Sequence, residues 1–324
     1  MMRTMGLLRK SPSEPAVRAA AQHQVGFPGS FEGLWTDRID FDQELARRIR
    51  AGAISPTLAE QLRHWRENGY VVIEQAIHQS AIDRFTADLD EMFEVGDERL
   101  LIQSPTDPHG VVLTPGHQKL RNRVVDVYAY YESARSLLFA PPIVEFMSAV
   151  FDDKLVCFQS LTFETGSGQG IHQDTAYVVV DPPLAVAAAW IALEDVTPGS
   201  GELEYIPGSH HLSEYLFSGA YKHYDSSRDQ AHEHQEWAEG LIAKSASQGL
   251  SRQRFLPKAG DVLIWTADLA HGGAPIEDPN KTRRSLVGHY CPARAVPYYY
   301  DWNPERRKRI AHEQSLYSSG HYDL

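Results

Sequence analysis

LAVAAAWIAL, residues 184–193, carries no polar side chain anywhere along its length. Successive residues of a strand face opposite sides, so a strand with one wet face alternates polar and apolar. This one is apolar on both sides, which predicts a central strand covered on both faces. Around it lie KLVCFQSLTF (154–163), GELEYIP (201–207), GDVLIW (260–265) and RRSLVGHY (283–290), all short and strand-like. TGSGQG, DPP, TPGSG, KAG and EDPN punctuate them with turn signals. From residue 154 onward the pattern predicts an all-β core.

Helices come first. Ser55 can cap a helix whose first position is Pro56, with Thr57 and Glu60 offering a capping box one step on. Leu58, Leu62 and Trp65 then share one face, Gly69 ends the helix, and YVVI (70–73) follows as a short strand. From Ser80, the recurrence of Ile82, Phe85, Leu89 and Phe93 predicts a second helix. Residues 100–120, with Pro105, Pro108, Gly110, Pro115 and Gly116, read as loop. Residues 120–138 and 141–152 read as two more helices, the latter opened by Pro141 and Pro142.

Helices followed by strands predict a mainly β fold, a sandwich or barrel with helical buttressing. The expected layout is a loose tail over 1–30 and one domain over 31–324. That domain would comprise a helical buttress (55–152), a β core (154–296) and a C-terminal extension (297–324). Residues 213–254, with YKHYDSSRDQAHEHQEWAEG, interrupt the strands as a polar insertion, read either as a lid or as a solvated excursion.

With 324 residues the chain is long enough for a well-buried core, and 42% hydrophobic with 23% charged residues is ordinary for a globular protein. The formal charge of −12 argues against a nucleic-acid partner. The one basic run, Arg306 to Arg309, is flanked by Glu305 and Glu313 and reads as a solvated helix face. Two cysteines, Cys157 and Cys291, make neither a disulfide framework nor a zinc site, and read as buried free thiols. No apolar run reaches membrane-spanning length, and the start MMRTMGLLRK has no apolar signal segment. The expectation is a cytoplasmic protein.

GIHQDTAY, residues 170–177, holds the first chemical signal. In an extended chain His172 and Asp174 point the same way, which suits a metal ion, a catalytic dyad or a satisfied polar pair. Of the 15 histidines most must be ordinary. His232 and His234 lack an evident third ligand, His210 and His211 read as turn residues, and His289 reads as a core or substrate-side residue. His271 follows GDVLIW after a short link and precedes Gly272 and Gly273, where the backbone leaves room for a ligand. Two histidines and one carboxylate occupy one face of an octahedral Fe(II) and leave three positions open. Arg283 and Arg284 open the RRSLVGHY strand. An inward arginine there needs an anion, and alternation lets only one of the two point inward without choosing which.

Four motifs together resemble the phytanoyl-CoA dioxygenase family: HQD (172–174), WIALEDVTPGSGELEYIPGSH (190–210), GDVLIWTADLAHGG (260–273) and TRRSLVGHY (282–290). GYVVI (69–73) matches an early strand, so the resemblance spans about residues 60–295. It implies a double-stranded β-helix (jelly-roll, cupin-like) core and an enzyme using non-haem Fe(II) and 2-oxoglutarate. On this resemblance His172, Asp174 and His271 match the iron ligands. Arg283, seven residues before Tyr290, matches the arginine that pairs with the distal carboxylate of 2-oxoglutarate. Trp190 matches an aromatic beside the co-substrate, and Gln159 a polar position facing the site. The implied reaction consumes O₂ and hydroxylates an unactivated C–H of a small molecule, with succinate and CO₂ as co-products. Halogenating relatives carry a small residue where this chain has Asp174, so the aspartate points to hydroxylation.

Two other readings compete. A cupin-like isomerase or hydrolase with another metal would cluster H-x-H with a nearby Glu and a third His, a pattern this chain lacks. A non-catalytic binding protein would not need the complete triad together with Arg283. Tyr177, Tyr205 and the histidines of the insertion are the candidates for facing the substrate, or else for plain packing.

Overall fold

A computed structural model describes residues 29–104, 107–117 and 121–324. The expected tail lies, up to residue 28, outside the described residues.

Helix α1 (Phe41–Arg50) opens the buttress, and α2 (Pro56–Asn68) follows. Ser55 is the N-cap of α2, its Oγ accepting from the Leu58 amide at 3.2 Å, with Pro56 in the first turn. This is the simple cap rather than the box from Thr57. Gly69 ends α2 at φ +81°, the left-handed value that glycine adopts without strain. Leu58, Leu62 and Trp65 are buried, and Trp65 meets Phe146 edge-on at 5.4 Å. Strand β1 (Tyr70–Ile73) and helix α3 (Gln79–Val95) come next; α3 buries Ile82, Phe85, Leu89, Met92 and Phe93 along one stripe.

The next segment departs from the sequence reading. Residues expected as loop form a hairpin, β2 (Asp97–Ser104) and β3 (Asp107–Leu113). Its second strand, β3, is the edge of the large sheet, paired with β2, and so tolerates Pro108 and Gly110. The helix expected over 120–138 is strand β4 (Arg123–Val125) followed by a 3-10 turn, and only α4 (Glu132–Leu138) is α-helical. Helix α5 (Pro141–Phe151) stands where it was expected.

The core strands follow: β5 (Leu155–Phe163), β6 (Val180–Asp181), β7 (Ala187–Ala192) and β8 (Leu203–Tyr205). After α6 (Ala231–Ser247) come β9 (Gln253–Phe255), β10 (Val262–Thr266), β11 (His271–Gly273), β12 (Ser285–Pro292) and β13 (Val296–Pro297). Helix α7 (Tyr299–Trp302), β14 (Ile310–His312) and β15 (Ser315–Tyr317) end the chain. The large sheet runs β1-β10-β7-β12-β5-β4-β2-β3, and the small one β11-β8-β9. The C-terminal residues belong to the large sheet too, since β15 pairs with β5 in parallel. The basic run is only in part the solvated helix face expected: Arg307 and Lys308 are exposed at a 3-10 turn, but Arg307 donates to the Tyr300 carbonyl, and Arg309 to those of Ala293 and Ala295.

The opening stretch is β7, third in the large sheet, between β10 and β12. All six of its residues are buried. Ala187, Ala189 and Ile191 face the core shared with the helices. Ala188, Trp190 and Ala192 face a second core between the two sheets, with Phe163, Leu263, Trp265 and Val287. Among the described residues no single helix is long and apolar enough to cross a membrane.

Candidate active site

The two sheets enclose a cavity of about 440 Å³. Cross-strand register arranges the inward faces of the large sheet in rows. Trp265, Ala188, His289 and Gln159 stand side by side in the first row. Leu263, Trp190, Val287 and Leu161 form the second. Ala192, Ser285, Phe163 and Arg123 form the third, four residues from the first or about 13 Å along a strand. Arg283 lies just beyond, its amide donating to the Glu164 carbonyl at 2.9 Å.

His172, Asp174 and His271 come together at the first row. Their ligand atoms all lie within 4.8 Å of one another, and all three residues are buried. Two backbone bonds between His172 and His271, at 2.8 and 2.9 Å, hold the ligand-bearing segments against each other. Gly272 permits this approach, because a Cβ there would sit 2.9 Å from the Gln169 carbonyl oxygen. The room beside His271 therefore admits backbone, and Gly272 lines the cavity as well.

Each imidazole has one nitrogen tied. His172 Nδ1 lies 2.8 Å from the Gly170 carbonyl oxygen, and His271 Nδ1 lies 2.9 Å from that of Leu269. A carbonyl only accepts, so both Nδ1 atoms carry a proton and Nε2 is the nitrogen left to face a ligand. Those Nε2 atoms face Asp174 Oδ1 at 3.8 and 3.5 Å. The other carboxylate oxygen, Oδ2, accepts from Trp265 Nε1 at 2.8 Å and has His289 Nε2 at 3.7 Å. Burial, with His271 nearby, lowers the His172 pKa to about 4, so its lone pair stays available at neutral pH. Burial pushes Asp174 up, but His271, His289 and His172 around it prevail and hold it well below the usual carboxylate range.

Arg283 is 2% exposed, and its Nε has no partner. Its guanidinium carbon lies 5.4 Å from the Trp190 ring and 5.7 Å from that of Phe163. No carboxylate among the described residues pairs with it within salt-bridge distance. Burial lowers its pKa to about 10, which leaves it charged at neutral pH. A buried, unpaired guanidinium is costly until an anion arrives. Arg284 points the other way, bonded to Asp90 and 3.2 Å from Glu164. The alternation that sequence left open thus puts Arg283 inside. Trp190 lines the same end, its Nε1 also without a partner. Gln159 lies in the first row, level with the triad and away from Arg283.

Two cavity residues, Trp265 and Arg123, went unnoticed in the sequence, and His289 was read as core or substrate-side without a role. Trp265 and His289 brace Asp174, and Arg123, half-buried with its pKa lowered by burial, donates from Nε to Gln103 at 3.1 Å. His289 has the same strand parity as Arg283 and Val287, a signal that could have found it. Arg123 fell within an expected helix, which hid its facing. Tyr177 lies at the cavity wall, 46% exposed, with its hydroxyl 2.7 Å from His234 Nε2 on α6. Tyr205 packs on Tyr70 at 4.7 Å.

Residues 65–285 match the family model described as phytanoyl-CoA dioxygenase (PhyH). The chain belongs to the phytanoyl-CoA dioxygenase family. It is 21% identical to the peroxisomal phytanoyl-CoA dioxygenase of Homo sapiens over 271 residues, covering 78% of this chain and 73% of the human protein. Among solved structures, the nogalamycin-biosynthesis epimerase SnoN superposes with a TM-score of 0.56 at 18% identity, covering 74% of this chain and 85% of SnoN. EctD from S. alaskensis with bound Fe gives 0.53 at 16%, covering 87% and 88%. The fold is the double-stranded β-helix, and the protein is a non-haem Fe(II)/2-oxoglutarate-dependent dioxygenase.

The dioxygenase's donor set fits its cofactors. Two imidazoles and one carboxylate make a 2-His-1-carboxylate set for Fe(II). The orphaned guanidinium of Arg283 offers a cationic end for 2-oxoglutarate. The differently metallated cupin and the non-catalytic binding protein fall away with this assignment.

Proposed function

We propose that the enzyme hydroxylates an unactivated C–H bond of a compact small molecule. The balance is R–H + O₂ + 2-oxoglutarate giving R–OH + succinate + CO₂. The observation that carries this reading is the complete triad with a carboxylate at position 174, paired with a buried, partnerless Arg283 at the far end of one cavity. Bound iron and 2-oxoglutarate supply, with O₂, the oxidant that breaks the C–H bond.

The chain's own residues bind, orient and exclude water. His172, Asp174 and His271 would hold the metal, with Trp265 and the two backbone carbonyls fixing how they point. Arg283 would pair with the distal carboxylate of 2-oxoglutarate, and Trp190 would flank its chain. Gln159, level with the triad, would meet the metal-side end of the co-substrate or the substrate next to it. The apolar second row, Leu263, Trp190, Val287 and Leu161, keeps water from the space between the two ends. The substrate would enter on the Tyr177 side, away from Arg283. A cavity of about 440 Å³ that also holds 2-oxoglutarate supports a compact substrate.

The test is turnover under ¹⁸O₂ across a panel of candidate small molecules, with product and succinate analysed by mass. Hydroxylation predicts one labelled oxygen in the product and one in succinate. Succinate formed together with an unlabelled product, isomerised or short of two hydrogens, would overturn hydroxylation and leave the enzyme class intact.

A further inference from the structure

The insertion reaches the metal site through one buried ion pair. Lys222 is 5% exposed, and its Nζ lies 2.6 Å from Asp268 Oδ2. Asp268 sits in the turn between β10 and His271. Its Oδ1 accepts from Thr175 Oγ at 2.6 Å, and its carbonyl oxygen accepts from Gln173 Nε2 at 2.7 Å. Gln173 and Thr175 flank Asp174. A further tie runs from the Tyr224 amide to the Ala176 carbonyl, at 3.1 Å. One aspartate thus joins the insertion to both segments that carry the triad.

A buried lysine is an expensive way to dock a loop, since apolar residues of similar volume often serve stability as well or better. What the ion pair adds is direction. We propose that Lys222 is a positioning residue for the metal site, acting through Asp268. It holds the turn that presents His271 and the bonds that aim Asp174, so docking of the insertion and iron binding are coupled. Lys222 touches none of the three ligands. Coupling is reciprocal: if the docked insertion favours metal binding, metal binding favours the docked insertion by the same factor. The proposal rests on His172, Asp174 and His271 holding iron.

The test needs no substrate. Anaerobic titration with Fe(II) and 2-oxoglutarate, followed by visible absorption, is run on wild type, Lys222→Met and Lys222→Arg. Lys258→Met, which breaks a surface pair with Asp195, serves as the control. If folded wild type gives no band, the metal assignment itself fails, whatever Lys222 does. Given the wild-type band, Lys222→Met weakens Fe(II) binding about tenfold or more, the usual effect of losing a partner behind a ligand, and alters the band. Lys222→Arg restores most of the affinity, and Lys258→Met matches wild type. Unchanged Fe(II) affinity in folded Lys222→Met overturns the proposal. Should Lys222→Met not fold, combining it with Asp268→Asn removes both charges while the introduced amide oxygen still accepts from Thr175, and the same weakening is expected. Hydrogen exchange on wild type gives a reading free of variants. Amides around 219–224 slow when Fe(II) and 2-oxoglutarate bind, and unchanged exchange there overturns the coupling.

Discussion

At the scale of single residues, the site depends on which atoms are already engaged. Trp265 occupies Oδ2 of Asp174 and leaves Oδ1 facing the two imidazoles. Trp265→Phe keeps an aromatic ring and loses the donor, so Fe(II) affinity should fall about tenfold while the fold persists, as metal titration alongside circular dichroism would show. Arg283 and Arg284 are adjacent yet separable. Arg283→Ala should weaken 2-oxoglutarate binding by tenfold or more, about 1.4 kcal/mol per factor of ten, whereas Arg284→Ala, which breaks a contact with Asp90, should leave it near wild type. Equilibrium binding of 2-oxoglutarate to the Fe(II) enzyme decides between them. Sequence could name the triad because four motifs in order carry a family resemblance; the H-x-D pair alone left metal, dyad and polar pair open. Strand parity alone could not choose between the two arginines, since it says that one faces inward and not which; the resemblance, through the spacing to Tyr290, chose Arg283. Trp265 stayed hidden, and His289 was left between core and substrate side, because an indole or imidazole on a strand looks like core until its partner is known.

At the scale of elements, apolar patterning was the readable part. β7 was legible because burial on both faces leaves no polar position. Ala189→Leu would push a larger side chain into the helix-side core, costing about 1–3 kcal/mol, read as a lower denaturation midpoint with an unchanged m-value. The capped start of α2 was legible for a local reason, a serine oxygen within reach of an orphan amide. Ser55→Ala should cost about 1 kcal/mol by the same measurement. The β2–β3 hairpin was not legible. Pro108 and Gly110 signal loop, and only the place of β3 at the sheet's edge makes them tolerable in a strand. β4 was misread because three residues are too short to show a period, and Val124, Val125 and Val127 pass for one face of a helix.

At the scale of the whole molecule, ligand binding and folding are linked. Fe(II) with 2-oxoglutarate binds only the folded chain, so together they should raise the melting temperature in a concentration-dependent way. Acid should weaken the metal-free protein. The folded His172 pKa is about 4, below its ordinary value of 6.5, so the unfolded chain takes up that proton more readily. The contribution of neutral His172 is therefore complete above about pH 6.5 and is lost as pH falls toward 4. Denaturation midpoints across that window should fall with acid more steeply for wild type than for His172→Gln, and equal slopes would contradict it. The central claim is that His172, Asp174 and His271 hold iron while Arg283 anchors 2-oxoglutarate. Anaerobic titration of wild type and His172→Ala with Fe(II) and 2-oxoglutarate tests it most directly. Wild type should develop a weak visible charge-transfer band that saturates at one iron per chain, and folded His172→Ala should develop none; no band in folded wild type, or an undiminished band in His172→Ala, would contradict the claim.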